Sequence, residues 1–120
     1  MNNGRLARGE AAFAELIWQN EPIGSGDLVK LCESKMGWKK STTYTVLKKL
    51  CEKGIFQNEN AVVSSLVTKD EFMARQSRRF VEDAFGGSLP GFLAAFIGGR
   101  KLSDRQAEEL KKLIDEHREG

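Results

Sequence analysis

The sequence has few cysteines and histidines, on which many catalytic and metal sites depend. Its 120 residues include two cysteines and one histidine, His117, which has no partner at metal-ligand spacing. It contains no glycine-rich phosphate loop, no paired carboxylates in a cleft-like context and no Cys/His pair at a workable spacing. These absences argue against an enzyme and against a bound metal or other cofactor.

Long apolar runs are also absent. No stretch approaches the ~20 residues that a membrane-spanning helix needs, and the first ten residues, MNNGRLARGE, contain no hydrophobic region of a signal peptide. We therefore expect a cytoplasmic protein without membrane insertion. In a reducing cytosol, Cys32 and Cys51 are expected to be small core residues rather than a disulfide.

The charge of the chain is small but unevenly distributed. The net charge is +2, which by itself indicates no partner. Residues 35–53, however, hold six lysines and one glutamate, a net charge of +5, whereas residues 67–120 hold ten basic and ten acidic side chains. A local basic patch on a nearly neutral chain is typical of a nucleic-acid site.

The patch coincides with a predicted amphipathic helix over 39–54. Its buried stripe recurs at i, i+3, i+4 and i+7, and consists of Thr43, Val46, Leu47 and Leu50. Hydroxyls at the start of the outward face can contact base edges in a major groove, and lysines further along can contact phosphates. A solvated surface helix is the alternative interpretation of such a lysine-rich face.

Two further helices are predicted before this segment, over about 9–19 and from an N-cap at Ser25 to just before Gly37. The residues expected to face inward are Phe13, Leu16, Ile17, Leu28, Leu31 and Cys32. A short connection between the second helix and the basic helix predicts a helix-turn-helix.

Residues 55–58 and 61–67 are predicted to be two short strands around Glu59-Asn60. A hairpin after the basic helix would be the wing of a winged helix-turn-helix. It carries no arginine or lysine, so we expect it to add little phosphate contact. The fold class predicted is mainly α, with residues 1–67 as a winged helix-turn-helix domain.

Residues 68–120 are predicted to form a second domain of three helices that dimerises. Capping boxes at Thr68/Glu71 and Ser103/Gln106, and Pro90 in the first turn of a short middle helix, mark the helix starts. Five phenylalanines expose more apolar surface than a short helical tail can bury, so a partner chain is expected. Packing back onto the first domain is the alternative. The candidate anchors are Phe85, Leu93, Phe96 and Leu110.

From about Glu10 to Glu116, the chain resembles the penicillinase-repressor family of bacterial winged-helix regulators (the BlaI/MecI/CopY type). Three stretches carry the resemblance. They are ELIW at 15–18, the segment 40–55 with the pattern T-x-x-T-x-L-x-x-L-x-x-K-G, and the spaced elements between Phe85 and Leu110. Their order and spacing together are more specific than any one of them.

The resemblance implies a homodimer that binds a palindromic operator on double-stranded DNA and represses genes for β-lactam resistance or another stress response. It implies that Thr42 and Thr45 contact bases, with support from Ser41, and that Lys49 contacts the backbone. Ser41 stands where family members commonly have a basic residue. The full set expected at the DNA is Lys40, Ser41, Thr42, Tyr44, Thr45, Lys48 and Lys49.

The resemblance also bears on regulation. In antibiotic-resistance members, a membrane-bound sensor protease triggers cutting at an Asn-Phe bond in the dimerisation domain. The matching position here, Ala95-Phe96, keeps the aromatic residue and lacks the asparagine. Two ways of ending repression therefore stay open. One is cleavage at this position, involving a sensor-linked protease, and the other is release of the DNA caused by a ligand, a partner or dilution. The Cys-x-Cys tail of the copper-responsive branch is absent, so metal sensing is not expected.

A different function is compatible with the same fold. A winged-helix protein-interaction module, or an anti-repressor, would keep the architecture without sequence-specific DNA binding. The uncharged wing favours this alternative, whereas the basic patch and the Thr42/Thr45 pair favour DNA binding.

Overall fold

The computed structural model describes residues 6–120, in which six helices and three short strands follow one another. They are α1 (Arg8–Asn20), β1 (Ile23–Gly24), α2 (Ser25–Met36), α3 (Lys40–Glu52), β2 (Phe56–Glu59), β3 (Val62–Ser65), α4 (Lys69–Phe85), α5 (Leu89–Ile97) and α6 (Asp104–Glu116). The chain divides into two compact units, Met1–Arg78 and Arg79–Gly120, called here the N-terminal and C-terminal units. The mainly helical, winged fold predicted from the sequence is confirmed.

The core of the N-terminal unit is made by one face of each helix and by the sheet. Every large apolar side chain that is fully buried in residues 6–120 lies in this unit, and they include Phe13, Ile17, Leu28, Leu50, Phe56 and Val63. Trp18 packs against Phe56, with ring centroids 5.3 Å apart, and its Nε1 donates to the Val67 carbonyl oxygen at 3.0 Å. Leu16 and Leu31, also expected inside, are half-buried.

The sheet has the antiparallel order β1-β3-β2. Strand β1, only two residues long, pairs Ile23 with Val63 and was not predicted, because so short a strand leaves no periodic pattern. Strands β2 and β3 form the predicted hairpin. Its turn residues Asn60 and Ala61 have positive φ angles of 53° and 60°, as a two-residue hairpin with the right-handed twist of its strands requires.

The start of α2 differs from the prediction. Gly24, not Ser25, is its N-cap residue, and Ser25 is the buried first residue of the helix. The Ser25 backbone N–H donates to the Ala61 carbonyl oxygen at 2.8 Å, while its Oγ accepts a hydrogen bond from Tyr44 at 3.2 Å. Its groups therefore connect α2 to the wing and to α3 instead of capping the helix.

Helix starts in the second half of the chain follow the predicted capping. Thr68 Oγ1 accepts from the Glu71 backbone N–H at 3.1 Å, and the Glu71 carboxylate accepts from the Thr68 N–H at 3.3 Å. Ser103 Oγ accepts from the Gln106 N–H at 3.1 Å, and α6 then ends at Glu116, slightly earlier than predicted. The cap of α5, Ser88, was missed in the sequence.

The two compact units divide inside α4, beyond the predicted domain boundary between residues 67 and 68. Phe72, near the start of α4, is 8% exposed and packs on Trp18 with ring centroids 5.5 Å apart. The beginning of α4 thus completes the core of the N-terminal unit.

Four phenylalanines form a cluster in the C-terminal unit. Neighbouring ring centroids lie 5.6–6.0 Å apart, in tilted and edge-on arrangements, among Phe80, Phe85, Phe92 and Phe96.

Over residues 6–120, no individual helix has the length and apolar character to cross a membrane. Only α4 and α5 taken together, bent by 86°, reach that length and composition.

Candidate nucleic-acid interface

Helix α3 buries the stripe that its sequence predicts. Thr43 is 1% exposed and Leu47 and Leu50 are buried, while Val46 is half-buried. Gly37, in a left-handed conformation at φ 67°, ends α2, and its N–H donates to the Glu33 carbonyl oxygen at 3.1 Å. The chain then enters α3 after three residues, which completes a helix-turn-helix.

The opposite face of α3 presents hydroxyl and ammonium groups. The exposed residues among those predicted to contact DNA are Lys40, Ser41, Thr42, Thr45, Lys48 and Lys49. The hydroxyls lie in the first half of the helix and the two adjacent lysines in the second half. This order can place small polar groups against base edges and cations against phosphates.

Two threonines of α3 donate to carbonyl oxygens of the preceding turn. Thr45 Oγ1 donates to the Ser41 oxygen at 2.9 Å on the exposed face, and Thr43 Oγ1 donates to the Lys39 oxygen at 3.2 Å on the inner face. Such bonds are common for threonine inside helices. They fix the hydroxyl direction of Thr45.

Tyr44 differs from the other predicted contact residues. Its side chain is half-buried against the core, and its hydroxyl donates to Ser25 Oγ at 3.2 Å. The polar end of Tyr44 is therefore used inside the protein, and only part of the ring is accessible. A contact between Tyr44 and DNA stays a prediction.

Glu10 is a residue of this region that the sequence did not reveal. Its Oε1 lies 3.4 Å from Lys53 Nζ, at the end of α3, and also accepts from the Ala7 backbone N–H at 3.0 Å. The Ala7 hydrogen bond, followed by the charge of Lys53, lowers the pKa of Glu10 despite partial burial. The carboxylate offsets part of the basic patch at that end. Residues 10 and 53 are too far apart in sequence for any local pattern to connect them.

The wing and the cysteines contribute little to this chemistry. Asn58, Glu59 and Asn60 are exposed at the end of the hairpin, and Glu59 adds a negative charge.

Both cysteines are free thiols. Burial raises the pKa of Cys32, against a smaller lowering by its side-chain hydrogen bond with Thr43. Burial likewise raises the pKa of Cys51, with a smaller contribution from Glu52. Neutral thiols are poor nucleophiles and poor metal ligands.

The residues predicted to dimerise all lie in the C-terminal unit. Phe85, Leu93 and Leu110 are half-buried, whereas Phe96 is 69% exposed. A groove of about 490 Å³ between α5 and α6 is lined mainly by apolar side chains, namely Leu93, Phe96, Ile97, Leu102, Leu110 and Leu113. Ala95, at the possible cleavage position, is exposed near the end of α5.

Comparison with known proteins agrees with this architecture. The family model described as "Penicillinase repressor" matches residues 6–116. The chain belongs to the penicillinase repressor family. It is therefore a winged-helix transcriptional repressor and not an enzyme.

Individual relatives are distant but match over most of their length. The penicillinase repressor of Bacillus licheniformis is 20% identical over 118 residues, covering 95% of this chain and 92% of the relative. The methicillin resistance regulatory protein MecI of Mammaliicoccus sciuri is 19% identical, covering 92% and 93%. An uncharacterized 16.5 kDa protein of Latilactobacillus sakei is 25% identical, covering 94% and 80%.

Proposed function

We propose that this repressor acts in the cytoplasm as a homodimer that binds a palindromic operator through α3. The observation that carries the proposal is the outward face of α3, where exposed hydroxyls and lysines stand opposite a buried apolar stripe. In a helix-turn-helix, the second helix lies in the major groove with its N-terminal residues at the bases. Ser41, Thr42 and Thr45 would then contact bases, and Lys48 and Lys49 would contact phosphates.

Dimerisation is supported by the surface of the C-terminal unit. Leu89, Phe96, Leu113 and Ile114 are each more than half exposed to solvent. Large apolar groups on short helices favour a partner surface, and a second copy of the same chain satisfies the symmetry of a palindromic operator. Two linked half-site contacts also raise the affinity far above that of one contact.

We infer the regulated genes from the relatives of this chain. Relatives named penicillinase repressor and methicillin resistance regulatory protein favour an operon for β-lactam resistance or a related stress response. If repression ends by proteolysis, involving a sensor-linked protease, we expect the cut at Ala95-Phe96. This bond lies just before Gly98, where α5 ends and can open locally at low cost.

One observation favours a second function. The wing has an exposed acidic residue, Glu59, and no basic one among its strands and turn. A wing that repels phosphate is compatible with an anti-repressor or protein-interaction module that does not bind specific DNA. In a protein with this function, the exposed lysines of α3 would not contact duplex DNA.

Selection from a random duplex library, followed by binding measurements at several salt concentrations, tests the proposal. Operator binding predicts an enriched palindromic sequence and a steep loss of affinity with salt, because lysine contacts release counterions from phosphates. Thr42→Ala should then reduce discrimination between the enriched and random duplexes by about 1–3 kcal/mol. Absence of enrichment and of salt-dependent binding would favour the interaction module.

A further inference from the structure

The exposed hydroxyl of Thr45 has a fixed chemical character. Thr45 Oγ1 lies 2.9 Å from the carbonyl oxygen of Ser41, one turn earlier in α3. A carbonyl oxygen can only accept, so the proton in this bond comes from Thr45. Thr45 therefore offers a ligand the lone pairs of its oxygen and its methyl group, but no free proton.

The hydrogen bond from a threonine hydroxyl to the carbonyl oxygen four residues earlier occurs twice in α3. Thr43, on the buried face, makes the equivalent bond to the Lys39 carbonyl oxygen at 3.2 Å. Two threonines of one helix thus adopt the same hydroxyl direction in different surroundings. For Thr45 to donate to a base, it would have to give up its bond to Ser41.

The major groove offers few partners for an acceptor of this kind. Guanine presents N7 and O6, adenine N7 and thymine O4, all of which are acceptors themselves. The groups that donate there are the exocyclic amino groups, N6 of adenine and N4 of cytosine. An acceptor oxygen attracts these groups and is repelled by the keto oxygens.

We propose that Thr45 selects a base with an exocyclic amino group, adenine or cytosine, on the strand that it contacts. The inference rests on the proposed function, in which α3 lies in the major groove. It makes Thr45 a residue that distinguishes amino from keto bases, rather than purines from pyrimidines or A·T from G·C pairs.

Thr42 provides a matched comparison on the same face. It is exposed, and within residues 6–120 its hydroxyl makes no hydrogen bond to a helix carbonyl oxygen. Its hydroxyl can therefore either donate or accept, and the restriction to amino bases does not apply to it. Replacing each threonine in turn by valine removes one hydroxyl and keeps the branched shape.

The experiment deletes single amino groups from DNA. In the duplex enriched from a random library, each adenine is replaced in turn by deoxynebularine and each cytosine by a 2-pyrimidinone nucleotide, which lack the amino group. At one position in each half-site, the wild-type affinity should fall about five- to tenfold, as expected for one net hydrogen bond. Thr45→Ser should fall equally there, and Thr45→Val should not respond to the deletion.

Thr42→Val serves as the control and should keep the wild-type response at that position. Circular dichroism melting confirms that each variant is folded. If deleting the amino group weakens wild type and Thr45→Val equally at every position, or weakens neither, the inference is wrong and the proposed function stands. If the library yields no enriched duplex, both the proposed function and this inference are wrong.

Discussion

The two units of this chain use similar apolar side chains in opposite ways. In the N-terminal unit, Phe13 and Phe56 are completely buried, and the exposed surface is largely polar. In residues 79–120, no side chain is buried, and four phenylalanines contact one another without being enclosed. Phe80 and Phe96 are 43% and 69% exposed, and Phe85 and Phe92 are half-buried. One unit encloses its core, and the other displays apolar surface.

We infer separate roles for the two halves from this difference. A closed core can hold α3 rigidly and leave its polar face available, as a recognition surface requires. Apolar groups left at the surface of a small helical unit are stabilised only when another surface covers them. We therefore expect changes in the C-terminal unit to alter assembly, and changes in the N-terminal unit to alter folding or DNA contact.

The largest effect is expected from a charge in the C-terminal groove. Phe96→Glu should prevent dimerisation, because it places a carboxylate among Leu93, Leu102 and Leu113. Operator affinity should fall by about 10²–10⁴, since each half-site would be bound alone. Sedimentation equilibrium and operator titration measure the two quantities.

The control for this change is Lys112→Gln, which makes the chain more negative by the same one charge on an exposed residue of α6. It should leave both assembly and affinity near wild type. A wild-type chain that is monomeric at micromolar concentration would contradict the dimer proposal. A Phe96→Glu variant that still dimerises would contradict a role for Phe96 in the dimer interface.

The second prediction tests whether the closed core extends into α4. Phe72→Ala should lower the free energy of unfolding by about 3–5 kcal/mol, because it empties a buried space beside Trp18. Met73→Ala, next in sequence but 52% exposed, should cost far less. Urea denaturation measures both. Equal effects would place Phe72 outside the core.

Truncation after Val67 should likewise destabilise the N-terminal unit more than truncation after Arg78.

The third prediction concerns charge, which both units carry. Lys49→Ala should weaken binding to operator and random duplexes alike and reduce the slope of log affinity against log salt by about one, because one phosphate contact is lost. Lys111→Ala removes the same charge from the C-terminal unit, where Lys111 pairs with Glu108 at 3.7 Å. We expect it to leave the slope unchanged. Equal slopes for all three proteins would exclude a phosphate contact by Lys49.

The sequence predicts local features of the chain and misses those that depend on tertiary contact. The stripe of α3 and the Thr68/Glu71 capping box each depend on residues three or four positions apart, and both are present. Two missed features join residues about forty positions apart. One is the pairing of the two-residue strand β1 with β3. The other is the Glu21 carboxylate, which accepts hydrogen bonds from the Ser65 backbone N–H at 2.7 Å and from Ser65 Oγ at 3.0 Å. No periodicity connects such residues before the chain is folded.

At the candidate DNA-binding face too, local patterns are predictable from the sequence and tertiary contacts are not. The exposure of Thr42, Thr45 and Lys49 follows from the helical period, and the structure agrees with it. The internal use of the Tyr44 hydroxyl does not follow, because its partner Ser25 lies on another helix. The sequence pattern of Ser25 is that of an N-cap, yet its burial under Tyr44 and the wing decided its position instead.

The smallest expected effect is the pH dependence due to Glu10. Its pKa is lowered below the ordinary 4.5 in the folded chain, first by the Ala7 N–H and then by Lys53. A carboxyl with a lowered pKa in the folded state stabilises that state above its unfolded pKa, and the stabilisation is lost as the pH falls through the folded pKa. Glu10→Gln should therefore lower the free energy of unfolding at pH 7 by about 1 kcal/mol or less, as for other contacts at helix starts. The difference from wild type should shrink below pH 4.5.

Salt separates the two causes of this effect. At 1 M salt the Debye length is about 3 Å, which weakens the attraction between Glu10 and Lys53, although less than for fully exposed charges because their side chains are 15% and 30% exposed. The hydrogen bond from the Ala7 N–H, at 3.0 Å, is short-ranged and persists. Urea denaturation at pH 7 should therefore still distinguish Glu10→Gln from wild type at 1 M salt. If the difference disappears, the ion pair at 3.4 Å dominates, and Glu10 links α1 to the end of α3 chiefly through charge.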